Sequence, residues 1–480
     1  MSRSFFLSAL LVAATIAQQA AAQEPKVSTF EKRLRAELAQ SGGLTAEDAG
    51  RRAEKSSADV RAKNAAVIAA AADVDKALIA FAPRLTLSAR YVRLSPIDAP
   101  SLGPDNANLV VTPAGEGPLP PGAPLVGVPG SALSFPVILN QYSLQANLTV
   151  PVSDYLLRTA QNHASASHSR KAAELNAQAA RDNARTNGQL LYYDWVRAKL
   201  QQVVTLQGLE QTEEHVKAAQ ALRDADRASL ADVMNAQAQR ARAELLLEKS
   251  KTFTLVSEDR LRTAMHDGSA KRYAIGEDLL GPLPARPSGD LATLLSEANA
   301  NRPELRALSI TSRALAEQKK ATRGAGYPRL DAFGNAYYQN PNSRYVPQSE
   351  EWKASWDLGL QLSWTPNDTA TTSAAAAALE AKRAEVHAQQ AGLRDALRSE
   401  VFGAYRGLRE AEIGIRTAER GLAAAEEAYR VRAEQYRYGR ATSVELTDAE
   451  SALIRARLDL VNARVDFHVA RVKLLHAVGR

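Results

Sequence analysis

The sequence predicts a mainly α-helical, internally duplicated chain with a small β part. Three observations carry that reading. First, twelve of the 21 prolines fall between Pro83 and Pro151, and none occurs from Val152 to Gly281 or after Pro366. Two long stretches are therefore free to run as uninterrupted helix. Second, Ser56–Leu85 lies over Asn301–Leu330 without a gap, at an offset of 245. Third, Trp352–Trp364 alternates strictly, with Trp352, Ala354, Trp356, Leu358, Leu360, Leu362 and Trp364 on one side and polar residues or glycine on the other. A period of two is a strand with one greasy and one wet face.

Taken in order, residues 1–22 read as a cleavable signal peptide: an arginine at position 3, an apolar run from Phe5 to Ile16, and Ala20-Ala21-Ala22 before the expected cut. Residues 23–266 form the first repeat, 267–290 a linker and 291–480 the second repeat. Each repeat reads helix, strand, loop, strand, long helix, turn, long helix. The strands are expected at about 84–94 and 141–150, then at 329–339 and 352–364. Leu144–Leu148 lies over Leu358–Leu362 at an offset of 214, and Asp232–Ala236 over Glu445–Ala449 at 213. The drop from 245 to 214 places about 31 extra residues in Ser95–Leu139, a Pro- and Gly-rich stretch read as an irregular loop. The helical turns are expected near 224–232 and 437–445, the second with Gly439 ending a helix and Ser443 capping the next.

The last two helices show their packing. Large residues recur every seven at Val401, Leu408, Ile415, Leu422, Tyr429 and Tyr436, and again at Leu453, Leu460, Phe467 and Leu474. Alanines stand four residues before most of them. Such spacing makes a coiled-coil seam with close backbones.

The strand set points to lipid. Seven apolar positions on one face, with tryptophan at both ends, suit a bilayer crossing, for which about 9–11 residues suffice. Trp352, Trp356 and Trp364 are the expected membrane-interface aromatics. Four strands cannot close a barrel that hides their edges, and a bilayer forbids open edges. Membrane insertion therefore predicts oligomerisation. No later segment offers about 18 consecutive apolar residues, so helical spans are not expected.

Composition narrows the classes further. The net charge of +7 is interspersed, without a basic cluster interleaved with aromatics, so no nucleic-acid partner is expected. The chain has no cysteine, which excludes a thiol-anchored lipid at the mature N-terminus. The seven histidines form no His-Glu-x-x-His motif, and no P-loop, dinucleotide fingerprint or Gly-x-Ser-x-Gly elbow occurs. Neither an enzyme nor a cofactor is expected.

These parts, in this order, resemble the TolC-type outer-membrane efflux proteins. The resemblance is carried by Tyr436–Gly439 followed by Val444–Ala449, by Asp232–Gln237 in the first repeat, by the Pro-Arg-Leu runs at Pro83 and Pro328, and by Asn301-Arg302-Pro303. It implies a homotrimer forming a 12-stranded outer-membrane β-barrel, four strands per chain, continued by a long α-helical periplasmic barrel. It implies a passive exit duct of a tripartite efflux or type I secretion system, partnered by a periplasmic adaptor and an inner-membrane transporter. Glu445 and Asp448 would form acidic rings at the periplasmic constriction, with raised pKa values where carboxylates crowd. Asp232, Arg440 and Tyr436 would be gating contacts, and Asp226, Arg227 and Gly439 would sit at helix-turn tips that meet the adaptor.

There are departures from the family pattern. Asp226-Arg227 stands where the second repeat has Gly439-Arg440, so a differently built turn is expected. Position 441 is Ala where the family often has a basic residue, leaving Arg440 as the nearest partner for Asp232. Glu445 and Asp448 have a second reading, as acids that simply favour a helix start. The alternative for the whole chain is a soluble periplasmic coiled-coil adaptor or scaffold.

Overall fold

The computed structural model describes residues 29–98, 101–102, 108–111, 126–129, 133–134, 137–269 and 271–480. The signal-peptide reading lies outside them. Chain order is α1 (Thr29–Glu37), α2 (Ala46–Ser56), α3 (Ala58–Ile79), β1 (Arg84–Arg93), β2 (Asn140–Val150), α4 (Ala160–Asp224), α5 (Leu230–Met265), α6 (Leu291–Asn301), α7 (Pro303–Gly324), β3 (Arg329–Asn340), β4 (Lys353–Ser363), α8 (Pro366–Arg437) and α9 (Ser443–Val478). The two Pro-free stretches hold helices of 65 and 36 residues, then 72 and 36. Much of Ser95–Leu139 is outside the described residues. Within it, Ser101–Leu102 pairs with Leu133–Ser134, and Asn108–Val111 with Val126–Pro129. The stretch is thus not wholly irregular, and the valines at 110, 111, 126 and 128 are the β-branched residues that favour pairing.

The chain divides into two compact units, and each draws on both repeats. One comprises residues 69–170 and 310–386 and contains a four-stranded sheet in the order β1-β2-β3-β4. All three junctions are antiparallel. Its even-numbered β4 residues stand out from the sheet: Trp356 is 68%, Leu358 74%, Leu360 72% and Leu362 70% exposed. Leu85 and Leu87 on β1 are equally bare. The opposite face is polar and internally bonded. Asn147 donates to Asn335, whose Nδ2 donates in turn to Asp357 Oδ1 at 2.7 Å. Gln339 Nε2 donates to Ser143 Oγ at 3.0 Å. β1 and β4 each have one neighbour, so both outer edges are open.

The other unit runs up to Ile68 and includes residues 171–309 and 387–480. Here the apolar pattern is buried. Val401, Leu408, Ile415 and Leu422 are no more than 8% exposed, as are Leu453, Phe467 and Leu474. A core of Trp195, Tyr192, Phe30 and Leu34 packs with Leu453, Leu460 and Val465. The segment read as a linker, 267–290, is packed too: Leu44 bridges Ile275, and Ile275 and Leu279 join that core. Gly43 makes this possible, because a Cβ there would come within 2.6 Å of Gly276 N.

Candidate functional site: the helical turns and the open sheet

The turns that join the long helices are built from one pattern. After α4, Asp226 N donates to Arg223 O and Arg227 N to Leu222 O; after α8, Gly439 N donates to Tyr436 O and Arg440 N to Gln435 O. Asp226 has φ 56° and Gly439 φ 70°. Both are left-handed helix caps, glycine being the usual occupant and aspartate one of the few side chains that tolerate the region. The expectation of a differently built first turn is therefore corrected. The backbone hydrogen bonds are repeated although the residue is not.

Each following helix opens with a capping box. Ser229 Oγ accepts from Asp232 N, and Asp232 Oδ2 accepts from Ser229 N at 3.0 Å. Thr442 Oγ1 accepts from Glu445 N, and Glu445 Oε2 accepts from Thr442 N at 2.8 Å. Thr442, not Ser443, is thus the cap, because its extended backbone aims the hydroxyl at the third amide. Glu445 also lies 3.3 Å from Arg432 Nη1. Its carboxyl is held below the usual range by the Thr442 amide first, then the Thr442 hydroxyl. In one chain, then, Glu445 is stabilised as an anion rather than raised. Asp448, one helical turn on, is exposed.

Asp232 is occupied by its cap, and among the described residues no ion pair joins it to Arg440. The two turns meet through another residue: Arg227 Nη2 donates to Tyr438 O at 3.3 Å, and the same guanidinium lies over Gly439. Tyr436 is buried, and burial pushes its phenol up. Its ring meets His215 edge-on at 5.2 Å.

His215 itself was not singled out by sequence. Its Nδ1 lies 3.1 Å from Glu450 Oε2 with side-chain exposures of 1% and 4%, and its Nε2 lies 3.5 Å from Ser443 Oγ. This cluster ties α4 to both arms of the α8–α9 hairpin next to its turn. The one available signal was Glu450, an acid seven residues after Ser443 and seven before Arg457 on a helix whose seam is otherwise apolar.

At the sheet, aromatics gather at one end: Trp352 lies 4.9 Å from Tyr338 and 6.0 Å from Tyr142, which is 5.0 Å from Tyr91. Trp364 marks the other end, its Nε1 donating to Gly326 O at 3.2 Å. Trp356 is different. It stands opposite Ala336 inside the ladder, in the body of the apolar face rather than at its border. Among the described residues no helix is long and apolar enough to cross a membrane, and no His, Cys, Asp and Glu group could hold a metal.

Residues 294–480 match the family model described as outer membrane efflux protein. That match covers the second repeat, less than half of the chain. Among solved structures, the outer-membrane channel OprN superposes with a TM-score of 0.72 at 18% identity, over 94% of this chain and 92% of its own. The CmeC outer membrane channel of Campylobacter jejuni gives 0.71 at 14%, over 91% and 86%. The outer membrane protein VceC of Vibrio cholerae gives 0.69 at 18%, over 90% and 96%. At these identities the likeness is one of fold, and it extends to the repeat that the family model leaves unmatched. No curated protein sequence is a significant match.

Proposed function

We propose that this chain is an outer-membrane efflux channel, that three copies join their sheets into one twelve-stranded barrel, and that the long helices line a periplasmic duct. The duct would receive substrates from an inner-membrane transporter through a periplasmic adaptor that meets the turns at Asp226–Arg227 and Gly439–Arg440. The single observation that carries this reading is the sheet: a bare apolar face backed by a hydrogen-bonded polar one, with both edges open. Apolar faces of this kind are stable against lipid, and open edges are not. The alternative adaptor reading needs a sheet that buries its apolar side.

The narrow end of the duct would be formed by the two turns, with Glu445 and Asp448 facing the opening and the Arg227–Tyr438 contact holding the turns together. Rings of carboxylates at a constriction favour cations. Fractionation, followed by mass measurement in detergent, tests the assembly: recovery from the outer membrane as three chains is expected. A water-soluble monomer would sink the proposal. In planar bilayers, Glu445→Ala with Asp448→Ala should reduce cation preference, and unchanged selectivity would remove both from the constriction.

A further inference from the structure

We infer that a second copy docks its β1 on the open edge of β4 in one register, with Gln361 of one chain opposite Arg90 of the other. This rests on the assembly proposed above and specifies its seam.

The duplication supplies the template. Arg84 pairs with Thr149 in the first hairpin, and Arg329 with Ser363 in the second. The hairpins therefore coincide when β1 maps to β3 by 245 residues and β2 to β4 by 214, the same offsets that the sequence repeat gives. The junction between the hairpins is β2–β3, where Asn147 faces Asn335. Carried to the outer edges, Asn147 becomes Gln361 and Asn335 becomes Arg90. Ser363 then faces Ser88, and Leu360 faces Tyr91.

The edge groups agree. In an antiparallel ladder, alternate residues turn both N–H and C=O toward one neighbour. Leu94 N donates to Leu139 O, so even-numbered β1 residues turn to β2 and odd ones to the open edge. Leu330 N donates to Ser153 Oγ, just past β2, so odd-numbered β3 residues bond to β4. Even-numbered β4 residues are left facing outward. In the inferred register Ala89, Tyr91 and Arg93 lie opposite Leu362, Leu360 and Leu358, outward groups against outward groups and apolar face continuous with apolar face.

The rest of the β4 edge is closed by its own chain. Arg344 Nη1 donates to Trp356 O at 2.8 Å and Tyr345 Oη to Ala354 O at 3.1 Å. β1 ends at Arg93, opposite Leu358 in this register, and the next two outward carbonyls are the ones that Arg344 and Tyr345 occupy. A slip of two residues one way leaves the Leu358 carbonyl bare. A slip the other way drives β1 into Arg344.

The absence of native cysteine makes the seam directly testable. Gln361 and Arg90 belong to the two outer strands of one sheet, about 14 Å apart at roughly 4.8 Å per strand, so a disulfide between them must join two copies. Arg90→Cys with Gln361→Cys, oxidised in membranes, should give a reducible cross-linked oligomer. The slipped pairs Ser88→Cys or Val92→Cys with Gln361→Cys should give at least about tenfold less. Asn147→Cys with Asn335→Cys, the in-chain equivalent, serves as the oxidation control. A slipped pair that cross-links better overturns the register while leaving the assembly intact. No cross-link from any seam pair, with the control oxidised, overturns the seam and the assembly together.

Discussion

The sheet and the helical unit carry equally regular apolar patterns, and they use them in opposite senses. Leu408 and Ile415 on α8 are 2% and 3% exposed, while Leu358 and Leu360 on β4 are 74% and 72% exposed. Nothing in hydrophobicity separates leucine from leucine. What differs is the surroundings: the seven-residue spacing meets a partner helix, whereas the two-residue spacing presents a face left bare in the single chain, which the proposed barrel turns to lipid. An apolar residue's exposure, read with its period, distinguishes a packed core from a face that awaits a partner.

Four experiments break or sharpen that contrast. The largest effect is expected inside the helical unit, at His215. His215→Leu leaves the Glu450 carboxylate buried without its partner, which costs about 3–5 kcal/mol. Thermal unfolding should show a large loss, and Glu450→Gln in the same chain should restore much of it. If the single variant melts normally, the pair is not holding α4 to the hairpin.

Second, acid should weaken the helical unit through His468. Burial, with Arg471 and then Arg464 adding to it, depresses its pKa from 6.5 to about 4. Between those values the unfolded chain binds a proton that the folded one refuses, so this contribution is fully present above pH 6.5 and is lost as pH falls toward 4. At about 1.4 kcal/mol per pH unit the full loss is about 3 kcal/mol. His468→Asn should flatten the melting profile across that window, and an unchanged slope would assign it to other groups.

Third, Leu360→Arg on the bare face should cost about 2–4 kcal/mol if it lies near the bilayer centre. It should deplete the outer-membrane fraction while the melting of the helical unit stays as it was. Normal insertion would mean that the face does not meet lipid. Fourth, and smallest, Thr442→Ala removes one helix cap and should cost about 1 kcal/mol. Protection of the first α9 amides in hydrogen exchange would report it, with those of α5 as the unaltered comparison.

Much of this architecture was readable in the residues. Period and proline placement fixed the long helices, and the four strands fell within about two residues of their expected ends. The seam from Val401 to Leu422 is buried as its spacing required. The missed features share a physical cause: they depend on backbone geometry or on partners far away in the chain. Aspartate at 226 hides a left-handed turn that glycine at 439 advertises. Thr442 and Ser443 are equivalent as letters, and only the extended backbone at Thr442 selects the cap. His215 and Glu450 are 235 positions apart, so nothing local announces that they meet. The 267–290 stretch looked like a linker because it lacks periodicity, yet two glycines let it pack against α2's approach. For the candidate site, Glu445 reads in the sequence either as a constriction acid or as a helix-start acid, and the single chain shows the helix cap.

The bare leucine row of β4 has a consequence for the protein's route to its destination. In water, an apolar ribbon with unsatisfied rims is a template for clumping. In the proposed assembly lipid and sister chains cover that ribbon, and until they do its face and both rims stay exposed. On that proposal, a copy that has not yet met its sisters would need its strands kept apart from other copies.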